Sequence, residues 1–209
     1  MPLTVQPLNR RDFCRTVLGS SLAAVLWETS DNTWAEEIEY DHWVFLSDTH
    51  LPGDSAKEEH GYNPVKNFSA VREAILKLAH KPQGMIITGD VAYLQEKPED
   101  YQQVIAQVTP YAENGIPVHI AFGNHDNLDN FFAAFSNLKK TASPVVNKHI
   151  TILETPRVNL FILDSLYYTD VTSGFLGWEQ LHWLQHELNV RKDTFCCLHI
   201  TTWIIAQKH

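Results

Sequence analysis

Three short apolar runs, Trp43 to Leu46, Gly84 to Thr88 and Pro117 to Phe122, each stop at a loop rich in polar, chemistry-bearing side chains. Those loops read Ser47-Asp48-Thr49-His50, Gly89-Asp90 and Gly123-Asn124-His125-Asp126. Helical patterns separate the runs. Asn63 to His80 carries Phe68, Val71, Ile75 and Leu78 at three- and four-residue spacing, and Pro98 to Tyr111 is stopped by Asn114-Gly115. Strands alternating with helices predict a layered α/β architecture. In such folds, sites form outside the carboxyl ends of strands, where loops from different strands converge. The pattern therefore predicts that three distant motifs assemble into one cluster.

The second half continues in the same style. His149 to Leu153 and Asn159 to Leu163 read as paired strands with Pro156 in their connection, Gly177 to Val190 as a helix, and Thr194 to His199 as a last strand. On that helix Leu181, Leu184 and Leu188 form the expected packing face, which leaves His182 and His186 in solvent despite their four-residue spacing. Asp164 reads as a strand-end hydrogen-bonding residue. His42, His60, His80, His119 and His149 read as ordinary structural or surface histidines, with His60 in a polar loop from Leu51 to Tyr62 that could line the mouth of a site. At 209 residues, 44% hydrophobic and 20% charged, the chain supports one globular domain, from residue 41 to 209.

A phosphoester is hydrolysed when a nucleophilic oxygen attacks, the phosphoryl charge is neutralised and the leaving group is protonated. Two cations about 3.5–4 Å apart can perform the first two tasks, and they need a bridging carboxylate with further oxygen and nitrogen ligands. Asp48 and His50 alternate along the chain, so both can project to one side. Gly89 allows a tight turn and close backbone approach at Asp90. Asn124 offers a neutral amide oxygen, His125 is free to donate a proton, and Asp126 is placed to orient His125 or raise its pKa.

These motifs, in this order, resemble the calcineurin-like metallophosphoesterases, and the resemblance covers Trp43 to His199. It implies an α/β/β/α sandwich of two mixed sheets, two divalent metal ions (manganese, iron, zinc or cobalt) and attack on phosphorus by a metal-bridging hydroxide. By resemblance, Asp48 and His50 are ligands of the first metal, Asp90 the bridge, and Asn124 and His199 ligands of the second. His125 with Asp126 would be the leaving-group acid and its partner. Leu163-Asp164-Ser165, followed by Gly174, Gly177, Gln180 and Trp183-Leu184, is similar to the branch containing cyclic-nucleotide phosphodiesterase-like members. A small-molecule phosphoester is the implied substrate. A purple-acid-phosphatase-like iron site is the alternative, since Tyr93 stands three positions after Asp90, the spacing such sites use for their tyrosine.

The pattern breaks after His199. The family normally continues with a second histidine and later a Gly-x-His-x-His segment, whereas here Ile200-Thr201-Thr202-Trp203 leads to Lys208-His209. The sandwich is therefore expected to be incomplete at its C-terminal end, and a catalytically impaired remnant with weak or absent hydrolysis is the alternative to an active hydrolase. Back-translated with one nucleotide restored before Ile200, the tail can encode His-Asn-Tyr-Leu-Asp-His-Arg-Pro, so a frameshift would account for the break.

At the other end, Asn9-Arg10-Arg11-Asp12-Phe13 and the weakly apolar stretch from Thr16 to Trp27 resemble a twin-arginine export signal, with Thr33-Trp34-Ala35 as its cleavage site. Residues 1–35 are thus expected to be an export signal that places the protein outside the cytoplasm. They carry three charges of each sign, so their removal leaves the net charge at -9. That acidity argues against a nucleic-acid-binding patch, and no apolar run is long enough for a stable membrane span. Cys14, Cys196 and Cys197 form neither a disulfide framework nor a Cys-x-x-Cys motif.

Overall fold

A computed structural model describes residues 42–136, 143–156 and 158–191, together with the backbone of 195–198 and 203–204. All of these lie within the compact unit Tyr40–His209. Residues 1–35 and His199 lie outside the described residues, so the expected signal and the fifth expected metal ligand are not described.

The first sheet is formed by β1 (Trp43–Leu46), β2 (Gly84–Ile87) and β3 (Val118–Ile120), in that order and all parallel. Leu46 pairs with Ile87 and Ile87 with Ile120, so the three strands end at one level. Parallel pairing demands crossover connections, and these are α1 (Pro64–Leu76) and α2 (Pro98–Glu113). A short α3 (Leu128–Ala134) follows the loop after β3.

Side chains of β2 alternate between two interiors. Met85 and Ile87 enter the helical layer with Val65, Phe68 and Ile75 of α1 and Tyr101, Val104 and Tyr111 of α2. Ile86 turns the other way, onto Leu160 and Ile162. Those two residues belong to the second sheet, β4 (Thr151–Glu154), β5 (Asn159–Ile162) and β7 (Phe195–Leu198), in which β4 runs antiparallel and β7 parallel to the central β5. Phe161, on the far face of β5, meets Trp183 of α4 (Trp178–Val190) with ring centroids 6.1 Å apart. The layers are thus helix, sheet, sheet, helix, as the motifs implied. β6 (Ser173–Gly174) forms a parallel pair with β8 (Trp203–Ile204).

Two helices differ from their sequence reading. α1 ends at Leu76 rather than His80, and its packing face is Val65, Phe68 and Ile75, with Val71 and Leu78 exposed. Arg72 occupies that side instead, because its guanidinium bonds Oε1 of Gln107 on α2 at 2.6 Å. On α4 the fully buried residue is Gln180, and Leu181 is 40% exposed. Gln180 accepts from the backbone N–H of Asp164 and donates to the carbonyls of Asp164 and Leu176. These two hydrogen bonds to Asp164 add a polar anchor to the Phe161–Trp183 contact. His182 and His186 are exposed, as expected.

Candidate metal centre

The shared edge of the first sheet brings the three motifs together. Beyond the strands, the β1–β2 ladder continues through the loops, with Asp48 N–H donating to Gly89 O, His50 N–H to Asp90 O and Leu51 N–H to Val91 O. Asp48, His50 and Asp90 all adopt left-handed backbone conformations, with φ of 53°, 40° and 51°. Such conformations cost about 1–3 kcal/mol each in a non-glycine residue and cluster at functional sites. Their ligand atoms lie within 4.8 Å of one another. Nε2 of His50 and Oδ2 of Asp90 are 4.0 Å apart, too far for a hydrogen bond.

Two glycines permit this approach. At Gly89 (φ 127°) a Cβ would lie 2.6 Å from the backbone nitrogen of Gly123, and at Gly123 it would lie 2.2 Å from Oδ1 of Asp90. The loops after β2 and β3 therefore pack backbone on backbone. The N–H of His125 then donates to Oδ1 of Asp90 at 2.7 Å, which leaves Oδ2 facing His50.

Asp126 holds the loops rather than the imidazole. Its side chain is fully buried and accepts four backbone N–H groups, those of Asp90 (2.9 Å) and Gly123 (2.9 Å) on Oδ2 and those of Val91 (3.2 Å) and Ala92 (3.4 Å) on Oδ1. Burial pushes the Asp126 carboxyl up to about 7, while the N–H donors of Gly123, Ala92 and Val91 pull it down. A proton on either oxygen would displace one of those donors, so the geometry is that of a carboxylate. The expected pairing of Asp126 with His125 is thus corrected. The carboxylates facing Nδ1 of His125 are Asp170 at 3.1 Å and Glu96 at 3.6 Å. Burial and then the charge of Asp170 push the Glu96 carboxyl up, with His125 pulling it down.

The rings of His50 and His125 meet edge to face, 5.6 Å between centroids, so the proton-donor candidate borders the carboxylate–imidazole cluster. Asn124 lies between Gly123 and His125, both in contact with Asp90, and its carbonyl accepts the N–H of Asp170 at 2.8 Å. Tyr93 gives its hydroxyl proton to Glu59, and its ring lies 3.6 Å beneath Nζ of Lys57. Asp164 acts at a strand end, accepting the N–H groups of His149 and Leu166 beside Lys148.

The family model for calcineurin-like phosphoesterases matches residues 42–204. The chain belongs to that family. It is 30% identical over 155 residues to a protein of Rhodococcus erythropolis described as a "probable cyclic nucleotide phosphodiesterase", covering 70% of this chain and 47% of that one. The chain spans about half the length of that relative. Among solved structures it is similar to a purple acid phosphatase from yellow lupin (Lupinus luteus) seeds, at TM-score 0.50 and 16% identity, over 72% of this chain and 28% of the lupin chain. At that identity the likeness speaks for the fold alone.

Calcineurin-like phosphoesterases use dinuclear metal centres, and the described residues of this one suit a cation. Nδ1 of His50 is buried with no hydrogen-bond partner. Two carboxylates and an imidazole also form a donor set that first-row divalent metals accept. Two residues beside this cluster, Glu96 and Asp170, carry no motif signal. Glu96 lies six positions beyond Asp90, just before the helix-starting Lys97-Pro98, and Asp170 lies in the loop between β5 and β6. Only the fold brings them to His125.

Proposed function

We propose that this chain hydrolyses phosphomonoesters or phosphodiesters with divalent cations held at the edge of the first sheet. The observation that supports this most is the convergence of Asp48, His50 and Asp90 at the ends of two parallel strands, with His125 against them. Asp48, His50 and Asp90 would hold the first cation, Asp90 reaching toward a second for which Asn124 and His199 are the proposed ligands. The cations supply charge neutralisation at the phosphoryl group and activation of water. The protein positions them. Two glycines admit the backbones, Asp126 fixes the loop containing Asp90, and the N–H of His125 aims its carboxylate. With Nδ1 of His125 turned to Asp170 and Glu96, Nε2 is the nitrogen left to protonate the leaving oxygen. The name of the Rhodococcus relative favours a diester substrate.

The test is hydrolysis of a bis-aryl and a mono-aryl phosphate by the purified chain in Mn²⁺ or Co²⁺. Turnover should require the metal and fall at least about 100-fold in Asp90→Asn and in His125→Asn. Rates at background in a protein that holds metal would contradict the proposal. We further propose export through residues 1–35, on the strength of Arg10-Arg11 and the weakly apolar stretch after them. Fused to a reporter, these residues should carry it across the membrane, and Arg10→Lys with Arg11→Lys should retain it in the cytoplasm.

A further inference from the structure

A general acid must touch the oxygen it protonates, so the leaving group of an ester cleaved here stands at Nε2 of His125 and its substituent extends past that side chain. The loop between β5 and β6 runs alongside. Asp170 N–H donates to the carbonyl of Asn124 at 2.8 Å, Thr169 Oγ1 donates to the carbonyl of Asp126 at 3.0 Å, and Oδ1 of Asp170 lies 3.1 Å from Nδ1 of His125. Val171 N–H returns to the carbonyl of Tyr168 at 3.1 Å, closing a turn whose third residue, Asp170, takes the left-handed φ of 63°. The first residue of that turn is Tyr168. Two residues span at most about 7 Å, so its Cα lies within that distance of the Asp170 Cα. Tyr168 is 63% and Tyr167 42% exposed. Their ring centroids are 4.3 Å apart, with the planes inclined by 51°, and Tyr167 in turn packs on Phe175 at 5.5 Å. Tyr167 is braced by its neighbours, and Tyr168 stands against it with most of its surface in solvent. An exposed ring held by other rings presents a face on which a planar group stacks at little cost in side-chain entropy.

We propose that Tyr168, backed by Tyr167, is a stacking platform for an aromatic ring on the leaving group, which rests on the hydrolytic reading above and narrows its substrates to phosphoesters whose leaving alcohol carries such a ring. The turn that brings Asp170 to Nδ1 of His125 also carries Tyr168, so proton donor and platform are held at a fixed spacing. An aliphatic leaving group offers no planar face and gains less from the two rings.

Calorimetric titration of the full chain, saturated with Mn²⁺, with phenylphosphonate and with methylphosphonate tests the platform, because both probes carry the phosphoryl group and neither is hydrolysed. The native chain should bind phenylphosphonate at least about threefold more tightly. Tyr168→Ala should bring the ratio of the two Kd values close to one, and Tyr168→Phe, which keeps the ring, should preserve it. Tyr168 is exposed enough for either substitution to leave the fold intact. A native ratio close to one, a ratio that Tyr168→Ala leaves unchanged, or its loss in Tyr168→Phe would overturn the proposal. The hydrolytic reading fails separately, by a chain that prefers phenylphosphonate through Tyr168 yet turns over neither aryl phosphate. Binding of neither phosphonate would overturn both.

Discussion

Asp126 receives four backbone N–H groups from two loops, two on each oxygen, and none of them can find another acceptor in that buried place. Asp126→Asn presents an NH₂ group to one pair of these donors. The variant should lose about 3 kcal/mol of stability in urea denaturation, because buried donors left unsatisfied cost about 1–3 kcal/mol and more for a charged partner. A residue that only oriented the imidazole would leave stability within about 0.5 kcal/mol. Gly123→Ala acts at the same place by sterics. Its Cβ would sit 2.2 Å from Oδ1 of Asp90, so the carboxylate must shift and metal affinity should fall at least about tenfold, read by metal titration. The ligand candidates themselves were legible as residues, since Asp48, His50 and Asp90 follow strand-like runs in motif order. The true neighbours of His125 were not. Adjacency in sequence suggested Asp126, yet the loop turns that side chain into the protein and brings Glu96 and Asp170 to the ring from 29 and 45 positions away.

The elements position the site through a few polar and aromatic contacts. His149, at the start of the second sheet, packs against Phe122 at 4.8 Å and donates from Nε2 to the carbonyl of Ile120, which requires the Nε2–H tautomer. Burial holds His149, and likewise His119, below the usual histidine range. Both groups therefore stay neutral in the folded chain while the unfolded chain takes up protons. Their stability contribution is complete above about pH 6.5 and is lost as pH falls through the folded values. Thermal denaturation should show this acid-side loss, and His149→Gln, which keeps an N–H for Ile120 but cannot titrate, should show less of it. Gln180→Ala should cost about 2 kcal/mol by leaving the backbone groups of Asp164 unpaired. The strands of the two three-stranded sheets and the three longer helices were readable from periodicity and end signals, whereas the two-residue β6 and β8 were too short to read. α3 was not readable either, because seven residues are too few to display a helical period, and Asn127, which caps it by accepting from Asn130 N–H, also reads as a loop residue. The buried face of α4 was misread because Gln180, a polar residue, is its anchor.

For the molecule as a whole, the fold follows from where parallel strands must end. β1, β2 and β3 finish at one level, the second sheet backs the first through Ile86, Leu160 and Ile162, and the loops have only one edge on which to meet. Among the described residues no helix is long and apolar enough to cross a membrane. The proposed function stands on this edge being a metal centre built on Asp90. The direct measurement is the metal content of the purified chain after saturation with Mn²⁺ or Co²⁺ and desalting, compared with Asp90→Asn. The native chain should retain the metal and Asp90→Asn should lose the ions held at that edge. Equal metal content in the two proteins would contradict the account.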